Sequence, residues 1–295
     1  MTVSTLRPIE VGLVGAGPWA EKAYAPMLAA GPETRLAAVW SRRADAARLL
    51  AETNGTVAAE SFDALLERCE AVAFAVPPDV QAELGARAAR AGKALLLDKP
   101  LALTLEAAER LARAVEDSGV VTQLMLTHRY RSLTAAFLEQ ARSWDAIGGR
   151  LAFLSSAFIR GPYACAWRKA HGALHDLGPH AFDLLDAALG PIESITGRGD
   201  PRRFVALSCR HASGAVSDVA LSGVVPLVPS VFRVELYGPR GLLEFDGVAA
   251  SVEEPWAEAR RLFAEAFHSG RSSGLDVRRG LLLQRLIDRA DRALR

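Results

Sequence analysis

The chain has 295 residues, half of them hydrophobic, and a formal charge of +1, enough to bury a full core and better suited to two domains than to one. Acidic and basic residues are interspersed without a basic stripe, which argues against nucleic-acid or membrane-surface partners and leaves a small ligand recognised locally. No apolar stretch reaches the ~18 residues of a membrane span, Met1 to Glu10 lacks a secretory core, and the three scattered cysteines (Cys69, Cys165, Cys209) fit reduced thiols, so a cytoplasmic protein is expected.

In chain order, apolar runs at 11–14, 36–40, 71–76, 94–97 and 120–126 read as strands. Between them, 44–52, 79–91 and 104–118 carry apolar residues at three-to-four spacing with Ser, Asp, Thr and Gly punctuation, the pattern of amphipathic helices. This alternation predicts a doubly wound parallel sheet, an α/β domain over about 6–127. Beyond His128 the rhythm changes. A helix at 132–144 precedes strand-like runs at 151–159, 205–209, 215–221, 231–237 and 242–245, with one helix near 176–189 and closing helices at 256–268 and 277–294. Strands joined by short turns predict an α+β second domain over 128–295 with an open, mostly antiparallel sheet. Runs 216–225 and 231–237 look too apolar for a sheet with one wet face, so a homodimer or homotetramer built through that face is expected.

The segment Val11-Gly12-Leu13-Val14-Gly15-Ala16-Gly17-Pro18-Trp19-Ala20 is a strand, a glycine turn and a helix start. Gly15 suits the tight turn, Gly17 lets a pyrophosphate approach the backbone, and Pro18 fits a first helical turn whose free amides attract phosphate. A dinucleotide cofactor follows. An NAD-specific second strand usually ends in Asp or Glu for the ribose 2′-hydroxyl, whereas this chain runs Trp40-Ser41-Arg42-Arg43. A hydroxyl and two guanidinium groups favour a 2′-phosphate, hence NADP(H) over NAD(H), which stays open. Val76-Pro77 must leave the sheet, since Pro77 donates no hydrogen bond, and the cofactor could lie against it.

Asp98-Lys99-Pro100 closes the run 94–97 and sets a lysine at a strand's carboxyl end, where ligands of open α/β sheets bind. The proline stiffens its backbone, and a cis Lys99-Pro100 bond is expected. Further on, Asp176, His180 and Asp183 can share a helix face; the alternative is that Asp176 only caps a helix starting there and His180 is a satisfied, half-buried residue. With His171 and His175 the run also resembles a metal cluster, although it lacks the ligand logic of a dedicated zinc site, and no metal is expected.

Taken in order, the glycine turn, Val76-Pro77-Pro78, Asp98-Lys99-Pro100 and Asp176-x-Gly178-x-His180-x-x-Asp183 resemble the Gfo/Idh/MocA family of nicotinamide-dependent oxidoreductases. The resemblance extends to His128-Arg129-Tyr130, to Glu235-Leu236-Tyr237-Gly238-Pro239-Arg240-Gly241 and to a closing helix at 280–290. Two departures stand out: Asp98 replaces the family's usual Glu, and the chain is short for the family, as if its C-terminal loops were trimmed. The resemblance implies a dehydrogenase or reductase acting on CH–OH groups of a sugar, cyclitol or similar polyhydroxylated substrate. Lys99, Asp176 and His180 would be catalytic. Trp19, Asp98 and Lys99 would join the glycine turn at the cofactor, and Arg129, Tyr130 and Trp167 would join the catalytic residues at the substrate. A cofactor-binding regulator without turnover, and a redox-neutral eliminase or epimerase that recycles a bound nicotinamide, are alternatives that the residues leave open.

Overall fold

The computed structural model describes residues 7–161, 164–252 and 254–295, so positions 1–6 of the expected non-secretory N-terminus lie outside the described residues. Contacts divide the chain into two units: Met1–Met125 with Trp256–Leu281, and Leu126–Pro255 with Leu282–Arg295.

The first unit begins β1 (Ile9–Val14), a π-helical turn (Ala20–Tyr24), α1 (Ala25–Ala29), β2 (Thr34–Trp40), α2 (Ala44–Thr53), β3 (Val57–Ala58), α3 (Phe62–Glu67), β4 (Ala71–Phe74), α4 (Pro78–Arg90), β5 (Ala94–Asp98), α5 (Leu105–Ser118) and β6 (Thr122–Met125). All strands pair in parallel, in the order β3-β2-β1-β4-β5-β6. Val11, Leu13, Ala71, Phe74, Leu95 and Leu97 have no solvent exposure, because helices cover both faces of such a sheet and its strands read as unbroken apolar runs. Local chemistry sets the helix ends. The Thr104 hydroxyl accepts from Ala107 N at 3.2 Å to start α5, and Gly119, at φ 64°, takes the left-handed conformation that ends it. The strands expected at 71–76 and 120–126 are shorter, since Pro77 ends the ladder after β4 and β6 begins only at Thr122.

The second unit continues with α6 (Ser132–Arg142), β7 (Gly148–Leu154), α7 (Ala166–Asp176), α8 (Gly178–Leu189), β8 (Ile192–Asp200), β9 (Phe204–His211), β10 (Val216–Ser222), β11 (Val231–Gly238), β12 (Gly241–Asp246) and α9 (Gly247–Ala250). The chain ends in α10 (Trp256–Ser269) and α11 (Val277–Ala293). The second sheet has the order β12-β11-β7-β10-β9-β8 and is antiparallel except between β7 and β10. The mostly antiparallel sheet is as expected; its one parallel pair, β7 with β10, is not.

Four expectations change. Strand 151–159 is instead β7 at Gly148–Leu154: Gly148 and Gly149 stay in the strand because β10 and β11 pair with it on both sides. Edge strand β8, absent from the sequence reading, has mostly exposed polar residues and so no apolar run to betray it. The late strands are not apolar on both faces. Val205, Leu207, Cys209, Val219, Leu221, Val234 and Leu236 are buried, while Ser208, Arg210, Asp218 and Arg233 alternate outward, so the outer face is polar with scattered Val216, Phe204, Tyr237 and Leu242. Finally, the expected division at 127/128 is interrupted, because 256–281 belongs to the first unit. Edge strand β6 explains why: Leu124 N donates to Leu275 O at 2.8 Å, Thr122 N to Ser272 Oγ at 2.9 Å, and Gln123 Nε2 to Ala259 O at 2.8 Å. Arg260 adds an ion pair to Glu33 at 3.1 Å. The segment thus satisfies an edge that would otherwise present unpaired amides.

Candidate active site

In the first unit, the residues expected at a cofactor gather on the carboxyl edge of the neighbouring strands β1, β4, β5 and β2. Gly15 N donates to Trp40 O at 2.8 Å, and its φ of 118° turns the chain sharply beside β4. A Cβ there would lie 2.3 Å from Ala75 O, so only glycine fits. Gly17 differs: a Cβ on it would meet nothing within 4 Å, which leaves open the backbone face that a pyrophosphate would approach. Pro18 and Trp19 begin the helical turn that follows.

A cleft of about 440 Å³ is lined by Gly15, Gly17, Ser41, Arg42, Arg43 and Pro77, among others. Val76 lines it too, so both residues of the expected Val76-Pro77 wall are present. Arg43 is partly committed, since its Nη2 donates to Ala16 O at 2.9 Å and its backbone N to Ser41 Oγ at 3.2 Å. Arg42 is exposed at the same rim. The donor set of open glycine backbone, helix start, hydroxyl and two guanidinium groups fits a phosphate-bearing dinucleotide.

Lys99 follows β5 and is half-buried; the Lys99-Pro100 bond is cis. Asp98 reaches two ways: Oδ2 accepts from Trp19 Nε1 at 2.8 Å, and Oδ1 from Lys99 N at 2.7 Å. Trp19 also packs edge-on against Tyr24 at 6.4 Å and Trp256 at 5.8 Å between ring centroids. The Asp98 carboxylate therefore ties the glycine-turn helix to the lysine's backbone. Buried Gln81 on α4 grips the same segment, a role no sequence motif announced.

In the second unit, Asp176 and His180 are both 6% exposed. Asp176 is not the cap of a new helix, as the sequence allowed, but the last residue of α7. The break falls earlier, at Gly172 (φ 73°), where a Cβ would lie 2.0 Å from Pro201 O and Ala173 N donates to that carbonyl at 2.7 Å. Gly178-Pro179 then opens α8, whose proline sits in the first turn, where it forfeits no helical bond. Asp176 pairs with Arg168 at 3.0 Å, and the Arg168 guanidinium lies 4.9 Å from the centre of the Trp167 ring. His180 meets His128 edge-on at 5.0 Å, beside the stacked rings of Phe153 and Phe232. His128 Nδ1 lies 3.0 Å from Arg131 Nη1, and a guanidinium only donates, so that nitrogen is the acceptor.

Two residues expected at the substrate have structural partners here. Arg129 Nη1 lies 3.0 Å from both carboxylate oxygens of Asp183, which is 1% exposed. Tyr130 is 2% exposed, and burial, with Asp183 nearby, pushes its phenol well up. Sequence spacing could pair Asp183 with His180 on one helix face but could not foresee Arg129 as its counter-ion. Among the described residues, no group of three or more His, Cys, Asp or Glu could hold a metal.

The sequence profile of an oxidoreductase family with an NAD-binding Rossmann fold matches residues 9–126. The chain is 33% identical over 200 residues to a dTDP-3,4-didehydro-2,6-dideoxy-alpha-D-glucose 3-reductase of Streptomyces violaceoruber, covering 65% of this chain and 58% of that protein. A protein of the same name from Actinomadura kijaniata is 32% identical, with 69% and 60% covered. The chain thus spans about three fifths of the length of these relatives. Among solved structures, GenD2 from gentamicin A biosynthesis in complex with NAD superposes with a TM-score of 0.87 at 22% identity, covering 99% of this chain and 96% of that one. KijD10, a 3-ketoreductase from Actinomadura kijaniata in complex with TDP-benzene and NADP, gives 0.76 at 22% identity, with 98% of both chains covered. At that identity these structures establish the fold.

One titration follows from the second unit. Burial lowers the His175 imidazole from its ordinary 6.5 to about 4, with neighbouring His171 adding to the effect and Asp291 opposing it. Because the unfolded chain takes up this proton first, the folded state loses stability as pH falls from about 6.5 towards about 4. Urea titrations across that window should show a falling unfolding free energy, with a flatter dependence in His175→Gln; the same slope in both proteins would refute the assignment.

Proposed function

Over residues 9–126 the chain belongs to the Gfo/Idh/MocA oxidoreductase family, and from that premise we propose that it is an NADP(H)-dependent enzyme that moves a hydride to or from a carbinol or carbonyl carbon of a sugar, cyclitol or related ring. The observation that carries the cofactor half of this reading is the cleft at the ends of β1 and β2, where Ser41, Arg42 and Arg43 stand in place of a ribose-reading carboxylate. The relatives named as sugar reductases support the substrate class.

When bound, the nicotinamide supplies or receives the hydride. Ser41 and the exposed Arg42 bind a 2′-phosphate, while Arg43, hydrogen-bonded to Ala16 O, stiffens the rim they stand on. Lys99 donates a hydrogen bond to the substrate oxygen and stabilises the charge that develops there. His180 takes the hydroxyl proton in oxidation and returns it in reduction, the general acid–base role that an imidazole within hydrogen-bond reach of the hydroxyl can fill. Asp176 orients the reacting pair. Arg129 acts through Asp183 on α8, the helix that carries His180.

Three outcomes test this reading. NADPH should bind more tightly than NADH, and Arg42→Ala should weaken NADPH by about ten- to a hundredfold, the loss of a charge-assisted contact worth ~1.5–3 kcal/mol, while leaving NADH nearly unchanged. Equal wild-type affinities by fluorescence titration would sink the preference. Nicotinamide absorbance, followed against free sugars, inositols, levoglucosan, dTDP-linked sugars and their keto forms, should identify a substrate. On that substrate Lys99→Met and His180→Ala should each cut turnover by at least ~100-fold with cofactor affinity intact, and the double variant should lose far less than the product of the two. Near-normal turnover in either single variant would overturn the assignment. For assembly, we propose a homodimer or homotetramer joined through the scattered exposed Phe204, Val216, Tyr237 and Leu242 rather than through a continuous apolar face; light scattering that returns the 31.5 kDa monomer mass at micromolar concentration would exclude it.

A further inference from the structure

Gln81 lies in α4, 1% exposed, and uses both ends of its amide on a single stretch of backbone. Oε1 accepts from Asp98 N at 2.7 Å; Nε2 donates to Asp98 O at 2.8 Å and Leu101 O at 3.1 Å, with Pro100 O further off at 3.3 Å. These groups bracket Lys99 on both sides. They also need a partner, because β5 pairs with β4 only as far as Leu96 and Pro100 has no N–H of its own to offer. A buried primary amide is among the few side chains that can accept from one backbone amide and donate to several carbonyls at once; a carboxylate would face those carbonyls without protons, and an apolar residue would orphan them all.

Satisfying a turn is a structural service, but the location of this one gives it a second consequence. The Lys99 side chain is a flexible four-carbon stem, so where its ammonium can reach is set by the backbone at its root. That root is held by Gln81 from α4 and by the Asp98 carboxylate, itself fixed by Trp19. We propose that Gln81 is a positioning residue for the reaction: it touches no substrate, and it sets the height and direction from which Lys99 meets the reacting oxygen. The inference rests on the reading of Lys99 given above. A displacement of the order of 1 Å at such a contact costs about a hundredfold in rate, which is what makes the role measurable.

The test compares Gln81→Leu, Lys99→Met and the double variant, with NADPH and the panel compound of highest turnover. Gln81→Leu is expected to lower kcat by about ten- to a hundredfold with little change in NADPH affinity. In the Lys99→Met background the same substitution should lower kcat no further, within the roughly twofold scatter of independent effects. Undiminished kcat in Gln81→Leu, or an equal loss in both backgrounds, would overturn the proposal and leave Gln81 a packing residue. Near-normal kcat in Lys99→Met would instead overturn the reading of Lys99. A readout without substrate separates the two: after reductive ¹³C-methylation, the Lys99 resonance, assigned by its loss in Lys99→Met, should shift its titration in NADPH-bound Gln81→Leu while Lys22, Lys93 and Lys169 hold theirs. An unmoved Lys99 signal counts against positioning. If Gln81→Leu does not fold, Gln81→Glu, which keeps the volume and the acceptor but loses the donors, carries the same expectations.

Discussion

Parallel strands satisfy one another's backbone along their length, but at the carboxyl end of each strand the last N–H and C=O groups lose their neighbours. The first unit depends on how that loss is made good. At β1 the answer is Gly15, folded so closely against Ala75 that its amide reaches Trp40 O. That same bond satisfies the Trp40 carbonyl at the end of β2, and Arg43, just beyond β2, returns its guanidinium to Ala16 O past the end of β1. At β5 it is a side-chain amide from α4 and a carboxylate pinned by an indole. Each repair brings a polar or flexible group to the same edge, so the demand for hydrogen-bond partners and the concentration of chemistry there have one cause.

The second unit solves a different problem, that of holding charge in an interior. Asp183 is almost wholly buried and would be costly alone, but Arg129 spans both its oxygens. Asp176 meets Arg168, and His128 meets Arg131. These pairs surround α8 and the end of α7, the elements that carry Asp176 and His180. Arginine suits the task because its planar fork stays charged and holds a fixed geometry when partly buried. The arrangement also explains why His128-Arg129-Tyr130 is poor in obvious solvent-facing contacts: its side chains are largely turned to these partners and to the core.

The sequence by itself determined strands β1, β2, β4, β5 and β6 and helices α2, α4 and α5 of the first unit, though not the two-residue β3 or the short α3, together with the glycine turn, the missing ribose acid and the position of Lys99. These are local facts: a strand, a turn and a helix start are written in about ten consecutive residues, and apolar periodicity survives whatever the chain later packs against. The alternation of the late strands was legible in kind, although β7 was displaced and polar β8 was invisible, because an edge strand needs no apolar run. Only the tertiary structure decided the rest. Gln123 finds Ala259 across 136 residues, which draws 256–281 to the first unit; Arg129 finds Asp183 across 54; and Gly172, through its approach to Pro201, moves the helix break that leaves Asp176 at the end of α7. In each case the deciding partner is distant in the chain, and a polar side chain carries no mark, in its own neighbourhood, of which distant backbone or carboxylate will satisfy it.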